Sequence, residues 1–239
     1  MLDSDQDESE SVPMTGSEPM SPLQNRVLPT GEIVAVPARG LLMGNRGCIH
    51  NADRTLGVTR WRTKMWISCV LDWRGRKRDV MPPGRWTALF FLDEATALAA
   101  GHRPCGYCRR ADHRWFGESW RTAQGLAVRP YAWEMDIKLH SERVDRRRTK
   151  LTRLAILADL PDGAMVVSDG QPALVTGHTL RPWSLDGYGP PIDVDKHTSL
   201  TLLTPPSIVA ALAAGYRPFI HPTASPTTMR CFPDSGPSR

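Results

Sequence analysis

No apolar run in this 239-residue chain approaches the ~20 residues that a membrane-spanning helix needs, so an α-helical membrane protein is not expected. Cysteine is scarce and odd in number, with five in the whole chain. The N-terminus is acidic and lacks the basic region and apolar core of an export leader. These absences point to a reducing cytoplasm, where thiols stay free or bind metal, and away from a disulfide framework. Basic residues are missing from residues 1–25, which carry six acids, so the rest of the chain holds +11 of a formal net charge of +5. That surplus is concentrated. Residues 44–153 contain 23 Lys or Arg against 11 Asp or Glu, whereas residues 154–239 contain 5 against 7. A local surplus of +12 suits a polyanion such as nucleic acid, and also a soluble arginine-rich surface.

The length allows one large domain or two small ones. Residues 1–25 and 222–239 are rich in Ser, Pro and small polar residues, so disordered tails are expected there, with Cys231 in the second. Between them, residues 65–73 (MWISCVLDW) read as a strand entering a hairpin through RGRKR, with 86–92 (WTALFFL) as the next strand. The helix of DEATALAAG has Asp93 as N-cap and Gly101 as terminator. Another helix begins near Ala111 or Asp112 and carries Trp115, Phe116 and Trp120, and residues 131–158 continue a helical pattern. Next, AMVVSDGQPALVT predicts a hairpin turning at Asp169-Gly170, LRPWSLDGYGPP a loop and TSLTLL a strand. TPPSIVAALAAG predicts a last helix, capped by Thr204 with Pro205 at its first position. ALAAGHRP at 97–104 recurs as ALAAGYRP at 211–218, which reads as one helix-ending device used twice.

What the echo lacks is the chemistry. Only the first copy continues into C-G-Y-C, where Cys105 and Cys108 stand two residues apart, the spacing that lets two thiolates face one ion. A redox pair would open a helix directly after a strand, whereas this one follows a glycine-terminated helix and a proline. Two free buried cysteines are the competing reading. Further ligands are to be sought among Cys48, His50, Cys69, His102 and His113.

Strand, short helix ending EATALAAGHRPCGYC and then a basic helix resemble the metal-binding domain of Ada-type DNA-repair regulators, over roughly residues 44–118. The resemblance implies one zinc held by the downstream pair Cys105 and Cys108 and by an upstream pair, for which His50 and Cys69 are favoured and Cys48 is the substitute. It also implies DNA as partner. The expected architecture is α+β: a disordered tail (1–25), an Ada-like zinc-binding domain (26–125), a basic helical connector (126–160), a small β-rich unit closed by a helix (161–221) and a second tail (222–239).

Candidate nucleic-acid contacts are Arg74, Arg76, Lys77, Arg78, Arg109, Arg110, Arg146, Arg147 and Arg148. An enzyme is an open alternative: an alkyl acceptor at a zinc thiolate, as the resemblance implies, or a hydrolase using His102, Asp112, His113, His140 or Glu142. A zinc-stabilised interaction module without nucleic acid is another. A deaminase is disfavoured, because H-S-E at 140–142 lies downstream of the cysteine pair rather than upstream.

Overall fold

The computed structural model describes residues 21–75 and 79–224. It is a mixed α and β fold with two sheets and four α-helices among those residues, in keeping with the α+β expectation. The first sheet holds β1 (Gln24–Val27), β2 (Ile33–Ala35), β3 (Leu42–Asn45), β4 (Ile67–Val70), β5 (Leu89–Phe91) and β6 (Arg103–Pro104), in the order β2-β1-β5-β3-β4-β6. The hairpin expected between 65–73 and 86–92 is not formed. β3 lies between them, with Met43 opposite Cys69 on one side and Phe90 on the other. Gly44 permits this insertion, since a Cβ there would run into the Ile67 carbonyl oxygen.

After β5 the chain enters α1 (Glu94–Ala99), all six residues of which are buried. As expected, Asp93 caps it, accepting from Thr96 N at 2.9 Å and Thr96 Oγ1 at 2.8 Å. Gly101 ends it at φ 87°, with Gly101 N bonded to Leu98 O and His102 N to Ala97 O, both at 2.8 Å. The echo ends α4 (Pro206–Ala213) in the same way: Gly215 at φ 105°, Gly215 N to Leu212 O and Tyr216 N to Ala211 O, both at 3.0 Å. The repeated ALAAG is therefore a shared stop signal, and what differs is the next side chain, His102 or Tyr216.

Helix α2 (Arg110–Ala123) buries Phe116 and Trp120, while Trp115 is partly buried against Tyr216, so the three rings belong to the core. The helix expected over 131–158 is shorter. α3 (Ala132–Arg143) stops at Arg143, Asp145 accepts from Thr149 N in a turn, Arg148 takes φ 68°, and β7 (Arg153–Ile156) follows. β7 is an edge strand that pairs only with β13 (Ser199–Leu202) and buries no residue fully, so no apolar–polar alternation marks it.

The second sheet adds β8 (Met165–Ser168), β9 (Gln171–Thr176), β10 (Thr179–Ser184), β11 (Gly187–Tyr188) and β12 (Ile192–Asp193), in the order β11-β10-β9-β8-β13-β7 with β12 on β10. Asp169 and Gly170 turn the β8–β9 hairpin at φ 49° and 76°, as the sequence predicts. The stretch expected as loop, LRPWSLDGYGPP, instead supplies strands. Pro182 is tolerated in β10, and its carbonyl accepts from Gly189 N at 2.8 Å. Thr204 does not cap α4 either: its hydroxyl accepts from Met165 N, Pro205 is the cap residue and Pro206 starts the helix.

Packing ignores the expected boundaries at 125 and 160. Leu98, Phe116, Trp120, Met135 and Leu139 share one core with Leu157, Val166, Val175 and Tyr216, so α1, α2 and α3 pack with the second sheet and α4. Two carboxylates fasten this contact. Glu94 accepts from Arg109 Nη2 at 2.7 Å, Tyr216 OH at 2.6 Å and Phe219 N at 2.9 Å; Asp93 accepts from Tyr188 OH at 2.8 Å and His221 N at 2.9 Å. Residues 1–20 and 225–239, most of the expected tails, lie outside the described residues. Gln24 and Asn25 of the first nevertheless belong to β1, and Pro222–Ala224 of the second form a short 3-10 turn with Ala224 buried.

Candidate metal centre

Cys69 comes from β4, and Cys105 and Cys108 from the turn between β6 and α2. Contrary to the expectation from sequence, the pair does follow a short strand and open a helix; the third thiol, Cys69, is what sets it apart from a two-cysteine redox pair. β4 and β6 run parallel with Ser68 opposite Pro104, and Cys105 N donates to Ser68 O at 2.9 Å, which sets the two segments side by side. The three sulfurs lie within 4.8 Å of one another, at exposures of 6, 8 and 9 %. Inside the turn Tyr107 N donates to Cys105 Sγ at 3.4 Å, the backbone arrangement by which a Cys-x-x-Cys turn favours a thiolate. Hydrogen bonds from the Cys108 and Cys69 thiols hold the Cys105 thiol well below the usual range, and the same contacts with Cys105 push Cys69 and Cys108 up. Three thiols this close resist shared ionisation, and a thiophilic cation is the group that lets all three carry charge. An all-sulfur donor set drawn together from two segments fits a soft, thiophilic metal ion.

The upstream half differs from the expectation. Cys69 joins Cys105 and Cys108, but His50 does not: its Nδ1 lies 2.7 Å from Thr87 Oγ1 and its Nε2 3.2 Å from Pro82 O. A buried imidazole needs partners for both nitrogens, and here the backbone and a hydroxyl provide them. Cys48, the substitute, directs its sulfur to His50 O at 3.9 Å and is likewise outside the group.

The candidate acid and base residues are mostly structural. His102 is fully buried beside Phe91 and Trp66, accepts from Arg46 Nε at 3.3 Å, and is held neutral by burial and by Arg46 and Arg143. His113 Nδ1 lies 3.2 Å from Pro104 O, Asp112 pairs with Arg109, and Glu142 accepts from Ser207 N and Oγ.

Among the expected nucleic-acid contacts, Arg109 is buried and paired with Glu94 and Asp112, so it faces no ligand. Arg76, Lys77 and Arg78 lie outside the described residues. Arg74 is exposed, with its guanidinium 5.0 Å from the centre of the Trp73 ring, and Arg110 and Arg147 are exposed. Arg146 and Arg148 line a cavity of about 490 Å³ with Trp61, Lys64 and His140. Arg148 and Trp61 also line a neighbouring cavity of about 280 Å³, whose other basic residues, Arg46, Arg60, Arg143 and Lys150, the sequence did not single out. Only the R-V-D-R-R-R-T-K run pointed to this place. Among the described residues no helix is long and apolar enough to cross a membrane.

No family model, no curated protein and no solved structure matches this chain.

Proposed function

We propose that this chain is a zinc-containing nucleic-acid-binding protein, acting on or around DNA, in which residues 44–118 form an Ada-like zinc module. The observation that carries the reading is the convergence of Cys69 with Cys105 and Cys108, thirty-odd residues apart in sequence and within 4.8 Å in space. These three thiolates would hold the ion, which would tie β4, β6 and the start of α2 together and so contribute folding energy. Their low exposure favours a structural centre over an alkyl acceptor, which needs an accessible sulfur. The nucleic-acid half is supported by the surplus of +12 in residues 44–153 and by the two adjoining cavities, which share Trp61, Val144 and Arg148 and so form one basic groove.

Elemental analysis of the purified chain tests the metal, with about one zinc per chain expected for such a centre. Cys105→Ser should lower both zinc content and Tm, whereas His50→Ala should leave the zinc in place. Zinc retained at parental level in Cys105→Ser would refute the assignment. For the partner, affinity for duplex and single-stranded DNA should fall steeply between about 50 and 200 mM salt. A chain that ignores both at the lower salt is not a nucleic-acid binder. Mass spectrometry after exposure to methylated DNA should find Cys69, Cys105 and Cys108 unmodified.

A further inference from the structure

The smaller cavity, of about 280 Å³, contains none of the cysteines. It is lined by Arg46, Arg60, Arg143, Arg148 and Lys150 against a single carboxylate, Glu32. Among the described residues none of the five cations forms an ion pair. Arg46, Arg143 and Lys150 direct donors at backbone oxygens instead. Arg46 Nη1 and Nη2 are each 3.3 Å from Gly31 O, Arg143 Nη1 and Nη2 are 2.6 Å from Gly101 O and Lys64 O, and Lys150 Nζ is 2.6 Å from Ala99 O. Arg46 and Arg143 also lie over the Trp66 ring, at 4.1 and 3.9 Å, and Arg143 Nε is buried without a partner.

Carbonyls satisfy donors but do not neutralise charge. Burial and the neighbouring Arg60 pull Arg46 down to about 9, and burial with Arg46 and Arg143 pulls Lys150 down to about 7. Elsewhere this fold gives a buried arginine its carboxylate: Arg103 has Asp136 at 2.7 Å and Arg109 has Glu94 at 2.7 Å. Buried Arg46 and Arg143, with no such partner and with three further cations around one cavity, mark a place where an anion supplies the missing charge.

We propose that this cavity binds a phosphate monoester, carried either by the end of a nucleic-acid strand or by a free mononucleotide. The choice of a nucleotide as carrier rests on the function proposed above; the phosphate itself rests on the charge and the cavity. Guanidiniums match phosphate oxygens in pairs, and a monoester brings close to two negative charges at neutral pH. Trp61, partly buried and shared with the larger cavity, is placed to stack a base, while Lys64, His140 and Arg146 line the continuation.

The test is calorimetric titration of the full chain with inorganic phosphate, with adenosine monophosphate, and with one oligonucleotide bearing 5′-phosphate, 3′-phosphate or hydroxyl ends. Monoester ligands should bind about tenfold or more tighter than the hydroxyl-ended strand, the scale of one charge-assisted contact. Lys150→Met and the exposed Arg148→Ala should each weaken them by about tenfold, the second variant keeping the test intact if the first does not fold. Trp61→Ala should weaken the mononucleotide by about fivefold or more and spare inorganic phosphate. A preference confined to phosphate-ended strands identifies a strand end as the carrier. Binding of the mononucleotide with no oligonucleotide binding keeps the phosphate site and removes the nucleic-acid function. Strand binding indifferent to its end group, no binding of either phosphate or monoester, or monoester binding unchanged in both variants overturns the inference.

Discussion

The two ends of α1 carry opposite charge and are treated differently. At its N-terminus Asp93 and Glu94 each collect several donors from the C-terminal part of the chain, including Tyr188, Tyr216, Phe219 and His221. At its C-terminus Lys150 and Arg143 bond the carbonyls of Ala99 and Gly101 and form no ion pair among the described residues. Both placements agree with the helix macrodipole, which favours anions at the first turn and cations at the last. Only Glu94, paired with Arg109, meets a side chain of opposite charge; Asp93 is held by the neutral donors of Thr96, Tyr188 and the His221 backbone. Buried carboxylates that collect several donors here join two parts of the fold, and buried cations without an ion pair open onto a cavity.

The comparison breaks most sharply at Glu94. Glu94→Ala leaves Arg109 buried with only Asp112 as counter-ion and strips the acceptor from Tyr216 OH and Phe219 N. Breaking such a pair typically costs about 3–5 kcal/mol, so urea unfolding should show a loss of that size. A loss under about 1 kcal/mol, the worth of a surface pair, would mean that this end of α1 does not join the two parts. A milder cut at the same end is Tyr188→Phe, which removes a 2.8 Å hydrogen bond to Asp93 and little else. Hydrogen bonds to charged groups contribute about 1.5–3 kcal/mol, and the variant should lose stability in that range without changing the metal content measured for the parent.

The N-terminal end of α1 was more legible in the sequence than the C-terminal one. Asp93 and Gly101 announce α1 because capping and αL termination each need a particular residue type at a fixed offset. Asp169-Gly170 and the Cys105/Cys108 pair are readable for the same reason. Cys69 was in reach as a cysteine inside a strand pattern, but Cys48-x-His50 competed with it, and nothing local told that the imidazole is spent on Thr87 and Pro82. β7 was hidden because an edge strand without a buried face shows no alternation, and β10 by Pro182. Arg46 and Arg143 were hardest to find. Arginine is rarely buried, so a solvated reading is the default, and their cluster assembles from β3, α3 and the turn after it only through tertiary packing.

Lys150→Met sharpens the comparison with the smallest effect on stability. In the folded chain the Lys150 ammonium is pulled down to about 7 by burial and by Arg46 and Arg143, and among the described residues Glu32 is the one carboxylate that lines its cavity; unfolded, it titrates at ~10.4. Between those two values the unfolded chain binds more protons than the folded one, so this group makes the fold more stable as pH rises from 7 to 10. Arg46, pulled down to about 9, acts in the same sense above that pH. The methionine variant should therefore unfold with a flatter pH dependence than the parent across this window, and at pH 7 should lie within about 1 kcal/mol of it, since it trades an unmatched charge for an unpaired Ala99 carbonyl. Saturating phosphate should flatten the parent's curve as well, because an anion in the cavity draws the proton back onto Lys150. Parent and variant curves that run parallel from pH 7 to 10 would mean that the charge at this end of α1 is already compensated, and the contrast between its two ends would be lost.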